Sequence, residues 1–144
     1  MARQNPPITM AQRGTARRGE VEISGTITIT AAGAIASVSC EYAPGTTGTL
    51  ASSRANYGFC LKNAAAGRYD IALIRKYRNV RLGSVTLIKA GGGAFGNAVA
   101  NTIQWRVATT NADATIQAFL ASSGADTDIA SGDIISFTMV AQET

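Results

Sequence analysis

The chain contains no histidine among its 144 residues. A serine or cysteine nucleophile therefore has no imidazole to activate it, and neither the Ser-His-Asp arrangement nor its Cys-His relatives can be assembled. Histidine-based zinc motifs fall for the same reason. Charge is scarce as well: charged residues make up 15% of the sequence, against about 25% in an ordinary soluble domain. A surface so poor in charge and so rich in Ala, Thr and Gly points to coverage by neighbours. The two cysteines, Cys40 and Cys60, lack metal-ligand spacing. They read as buried free thiols, with a bridge open only if their strands are neighbours. No run reaches the roughly 20 apolar residues that span a bilayer, and residues 1–20 lack the apolar stretch of a secretory signal. The expectation is a soluble chain made in the cytoplasm, with no membrane partner.

What charge there is falls unevenly. The net charge is +4. Residues 1–18 carry Arg3, Arg13, Arg17 and Arg18 and no acid, and the rest of the chain, with nine bases and nine acids, is neutral. Pro6, Pro7, Gly14 and Gly19 interrupt this segment, so residues 1–19 read as a basic extended arm ahead of a domain over 20–144. Arginine's planar fork suits carboxylates as well as phosphates. The arm therefore fits a neighbouring protein's acids, and nucleic acid remains open through it alone. Inside the domain, Arg75, Lys76, Arg78, Arg81 and Lys89 cluster in the middle. Asp113, Asp126, Asp128, Asp133 and Glu143 dominate the end, and no base follows Arg106. These opposite regions can meet within one subunit or between subunits.

From residue 20 the hydrophobic period is two. Val21, Ile23, Ile27 and Ile29 alternate with a Thr-rich outer face. A second strand is expected over 34–42, with Ala36, Val38, Cys40 and Tyr42 on one face. A third is expected near 55–62 through Tyr57, Phe59 and Leu61, and a fourth over 68–75 with Tyr69, Ile71 and Leu73 aligned. Residues 76–81 read as a basic connection to a fifth strand at 82–89. Ile103, Trp105 and Val107 define a sixth, and Ile116, Ala118 and Leu120 a seventh. The last covers 133–141, with Ile135, Phe137 and Met139 on the core face. Ile134 and Val140 lie on the opposite face, where they are candidates for a contact surface. Trp105, Tyr57, Phe59, Tyr69 and Phe137 read as core. About eight strands at this spacing predict an all-β fold, an antiparallel β-sandwich or jelly roll.

Two motif-like stretches carry little. Gly91, Gly93 and Gly96 match GxGxxG, but a strand rather than a helix follows. Asp126, Asp128 and Asp133 suggest calcium, yet Ala130 stands where the EF-hand loop needs Asp or Asn. The acids sit in turn-like loops beside Ser and Gly, where Asp normally serves the turn. The expectation is a non-enzyme with no cofactor and no metal.

Two segments carry a resemblance. Gly67-Arg-Tyr-Asp-Ile-Ala-Leu-Ile-Arg-Lys-Tyr77 forms a G-x-Y-x-I-x-L strand and corner, and Ile129-Ala-Ser-Gly-Asp-Ile-Ile-Ser-Phe-Thr-Met139 a turn and closing strand. Both resemble small virion structural proteins of tailed bacteriophages, above all capsid decoration (cement) proteins. The resemblance implies a homo-oligomer, with a trimer favoured. It implies binding to the major capsid protein or other virion proteins at the capsid surface, where the arm clamps neighbouring subunits. Arg3, Arg13, Arg17, Arg18, Ile134 and Val140 are the expected partner-binding residues. Two alternatives stand beside it: a tail, fibre or head–tail connector component, and a small coat protein whose basic arm faces nucleic acid.

Overall fold

The alternation of isoleucine and threonine folds as its period demands. In the computed structural model, which describes residues 19–40, 58–73, 76–90, 100–108 and 112–143, Glu20–Ile29 form strand β1. Its isoleucines Ile23, Ile27 and Ile29 are buried. A 3-10 turn at Ala31–Gly33 returns the chain into β2, Ile35–Cys40. The remaining strands are β3 (Phe59–Lys62), β4 (Arg68–Ala72), β5 (Asn79–Ile88), β6 (Thr102–Arg106), β7 (Ala114–Phe119) and β8 (Ile134–Gln142).

They form two four-stranded antiparallel sheets. Sheet A has the order β2-β1-β8-β5, and sheet B the order β3-β4-β7-β6. The sheets pack as a β-sandwich. The core draws Ile23, Ile27, Ile29, Ile135, Phe137 and Met139 from A, and Cys60, Tyr69, Ile71, Ile116 and Ala118 from B. Each large aliphatic or aromatic side chain fully buried here contributes roughly 1.5–3 kcal/mol. The Tyr69 hydroxyl, deep in this layer, donates to the Gly33 carbonyl at 2.9 Å, so its burial leaves no orphaned donor.

One open side of the sandwich, between edge strands β5 and β6, is closed by Trp105. Its Nε1 donates to the Gly83 carbonyl at 2.8 Å, and its ring meets Phe137 edge-on at 6.3 Å. Gly83 and Ser84 together oppose Thr138 in a bulge with one extra residue, where Leu82 pairs with Met139 but Val85 already pairs with Phe137. A β-carbon on Gly83 would stand 2.5 Å from Thr138 Oγ1 and 2.8 Å from the Thr138 carbonyl oxygen.

The loop after β7 is pinned by carboxylates. Asp128 accepts from the Gly67 backbone N–H at 2.6 Å and pairs with Lys62 at 3.3 Å. Asp133 accepts from the Ala90 N–H at 2.9 Å and forms a close ion pair with Lys89.

Several strand expectations shift. A register shift between β1 and β2 makes Ile35 the partner of Ile29, so Ile35 packs on the core and Ala36 is exposed. β5 begins at Asn79, so Arg81 belongs to a strand and not to a basic connection. Val107 lies beyond β6 and is 88% exposed. Phe59 is fully buried, but Cys60 pairs with the inward Ile71, so Phe59 and Leu61 occupy the face of sheet B turned away from sheet A. Tyr42, Tyr57 and the residues 91–99 that include the Gly-rich motif lie outside the described residues.

Candidate functional site

Sheet A turns one face to the core and the other outward. Strand alternation places Ile134 and Val140 on the outward face, as expected, each half-buried. Register fills in the rest. Ile134 lies between Thr28 of β1 and Ile88 of β5, and Ser136 between Thr26 and Thr86. Thr138 is opposite Ser24, and Val140 lies between Glu22 and Arg81. Ser37 and Ser39 of β2 extend the rows of Thr28 and Thr26. The outward face is thus a field of serine and threonine hydroxyls across four strands, with an aliphatic corner at Ile134 and Ile88 and charge only at the far end.

That charge is largely internal. Arg81 pairs with Glu20 at 2.8 Å. Between the charged end and the hydroxyl field, the bulge leaves a notch of about 220 Å³ lined by Glu22, Gly83, Thr138, Met139 and Val140. Thr138 Oγ1 there accepts from the Ser84 N–H at 2.9 Å and lies 3.0 Å from the Ser84 hydroxyl. Sequence reasoning missed the β5 share of the face, namely Arg81, Thr86 and Ile88. The alternation of Val80 and Leu82 with Asn79 and Arg81 is its signal.

The expected arm residues Arg3, Arg13, Arg17 and Arg18 lie outside the described residues. Gly19, counted with the arm by the sequence, is tied to the sheet: its carbonyl accepts from the Glu143 N–H at 2.8 Å.

The acids that invited a calcium reading are not brought together. Asp128 and Asp133 hold backbone amides and lysines at separate places, and Asp126 lies 3.8 Å from Arg106. Among the described residues no group of three or more His, Cys, Asp or Glu side chains could share a metal ion. Asp113 accepts from the Leu73 N–H at 2.7 Å. Fully buried Asp70 accepts from Thr115 at 2.6 Å and Asn63 at 3.0 Å. These carboxylates organise backbone and turns, the use their Ser- and Gly-rich settings suggest.

Both cysteines are free thiols facing the interior, Cys60 buried and Cys40 half-buried beside Gly25. Burial pushes the Cys60 thiol far above its ordinary range, and the nearby Asp70 charge and Cys40 push the same way. A thiol held protonated is a poor nucleophile. No helix among the described residues is long and apolar enough to cross a membrane.

No protein-family model, curated protein or solved structure matches this chain.

Proposed function

We propose that this chain is a non-enzymatic virion structural protein that binds and stabilises a capsid shell as a decoration protein, with its amino-terminal arm clamping neighbouring subunits. The observation that supports this reading is the outward face of sheet A. Its centre is uncharged, and its Ser and Thr hydroxyls can both donate to and accept from a partner's backbone. Ile134, Ile88 and Val140 add apolar area, while Glu20, Glu22 and Arg81 stand at one end. A charge-depleted centre with polar margins is the anatomy of a protein interface. On a symmetric shell many such contacts, each weak, reinforce one another, and a tethered arm adds a second attachment.

Copy number in purified particles tests the reading, measured against the major shell protein. Near-stoichiometric copies are expected; a few to a few dozen would place the chain in the tail or at one vertex and sink the decoration role. Removing residues 1–19 is expected to leave a folded domain that no longer binds shells stably, and undiminished binding would remove the arm's role.

One observation favours a second reading, a small coat protein whose arm faces nucleic acid: residues 1–18 hold four arginines and no acid. It predicts binding to single strands that weakens with salt, at a logarithmic slope of roughly −0.7 per phosphate contact. Salt-insensitive assembly would discard it.

A further inference from the structure

Sheet B also has an outward face, and its β6–β7 side is concave. A cavity of about 450 Å³ opens there, lined among the described residues by Gln104, Arg106, Gln117, Phe119, Gly124 and Asp126. That size lies within the range of small-ligand pockets. Alternation explains the lining. Ile103 and Trp105 of β6 pack on the core, so Gln104 and Arg106 turn outward. Gln117 and Phe119 stand across from Gln104 and Thr102 on β7.

The site is held in shape before any ligand arrives. Buried Gln117 donates from Nε2 to the Ala66 and Ala118 carbonyls, each at 3.1 Å. Its Oε1 accepts from Arg106 Nη1 at 2.8 Å, and the same nitrogen lies 3.8 Å from Asp126 Oδ2. A bridge between Phe119 and Asp126 and hydrogen bonds from Gly124 and Ser123 back to the Leu120 carbonyl fix the rim. The groups left over face solvent. Arg106 keeps further N–H donors, the Asp126 side chain is 53% exposed, and the exposed Gln104 amide has no hydrogen-bond partner among the described residues.

We infer that this cavity binds a neutral saccharide. Among the described lining residues one guanidinium and one carboxylate cancel, which favours neither an anion nor a cation. Arg68, on the β4 side of Gln117, does not line it. Too many polar groups are present for a lipid tail. Planar groups that donate (Arg106), accept (Asp126) or do both (Gln104) match adjacent hydroxyls, each of which donates and accepts. The half-buried Phe119 ring supplies an apolar surface for the C–H face of a sugar. The lining comes from the face of the sheet and not from a strand edge, so it is not built for adding a peptide strand. The site is on the sheet opposite the proposed shell contact and stands without that reading.

Saturation-transfer NMR on the full chain tests it, with glucose, galactose, mannose, N-acetylglucosamine and their disaccharides at roughly 10 mM, enough to populate a millimolar site. At least one neutral sugar is expected to receive transfer and to bind equally at low and high salt. Asp126→Ala and Gln104→Ala, both at exposed side chains, are each expected to weaken it about tenfold with unchanged thermal melting. Absence of transfer to every neutral sugar overturns the inference. So does binding undiminished in both variants, or binding restricted to anionic sugars or to peptides.

Discussion

Sheets A and B bury their inner faces alike and treat their outer faces differently. On A, the middle of the outward side of β1 and β8 is exposed or half-exposed Ser and Thr (Ser24, Thr26, Thr28, Ser136 and Thr138), with few hydrogen bonds tying it down. On B, the outward residues Phe59, Asp70, Ala72, Thr115 and Gln117 are as buried as the core itself. Polar groups there must be satisfied internally, and Asp70 with Thr115 and Asn63, and Gln117 with Arg106, show how. Only Arg68 Nε is buried among the described side chains without a partner. The β4–β7 centre of B therefore spends its buried polar residues on holding the fold, whereas on A the Ser and Thr hydroxyls of the outward face, Ser84 and Thr138 apart, make no hydrogen bond among the described residues.

The contrast makes B the sheet that tolerates least. Gly67 turns between β3 and β4 with φ +64°, and a β-carbon there would lie 2.4 Å from both the Ala118 and Thr127 carbonyl oxygens. Gly67→Ala combines a left-handed backbone with two backbone clashes and should cost at least about 3 kcal/mol by chemical denaturation. Next comes Asp70→Ala, which strands the Thr115 hydroxyl and Asn63 amide; roughly 2–3 kcal/mol is expected. A loss under 0.5 kcal/mol for Asp70→Ala would mean that water reaches this face, and the distinction between the sheets would weaken.

The difference between the sheets also decides what could be read from the sequence. β1 and β8 were legible because only one of their faces is buried, so Ile and Thr alternate cleanly. β3 is legible as a strand with a buried Phe59, but not in its facing: Phe59, Cys60 and Leu61 are all apolar, so alternation does not say which points toward sheet A. β5 starts three residues before its apolar pattern suggests, because the basic run over 76–81 reads as a linker, although Arg81 is an edge-strand residue paired with Glu20. Ile134 and Val140 were placed on the correct face by period alone. The sugar-sized cavity was not legible, since it joins Arg106 to Asp126 across a turn whose path no local pattern gives.

Alkaline pH probes the buried layer that both sheets share. Burial raises the Cys60 thiol above its ordinary 9.0, as do Asp70 and Cys40. The Tyr69 hydroxyl is likewise raised above 10.0, by burial first and by Asp128. The folded state holds these protons more tightly than the unfolded chain. Their contribution is therefore full below the ordinary values and lost as pH rises past them. Stability should begin to fall near pH 9, by roughly 1.4 kcal/mol per pH unit for Cys60 alone, and more steeply once Tyr69 joins above pH 10. Cys60→Ala should remove the first limb and leave the second. An unchanged profile in that variant would assign the alkaline loss elsewhere.

The smallest effect on stability is expected on the outward face of A, and it is the most informative about function. Thr26 and Thr86 flank Ser136 in one row, and both are exposed. Replacing either by Ala removes no core contact and should change stability by less than about 0.5 kcal/mol. Replacing both by Arg should also leave the fold intact, because long side chains can reach water from an exposed strand. In a shell contact the same pair would force two desolvated charges into an uncharged centre, and binding to purified shells should be lost. Stability and binding would then separate cleanly, with intact melting beside abolished attachment. If the double Arg variant still decorates shells at full copy number, the hydroxyl face of A is ordinary solvent-facing sheet, and the contact must be sought on the arm or at the aliphatic corner of Ile134 and Ile88.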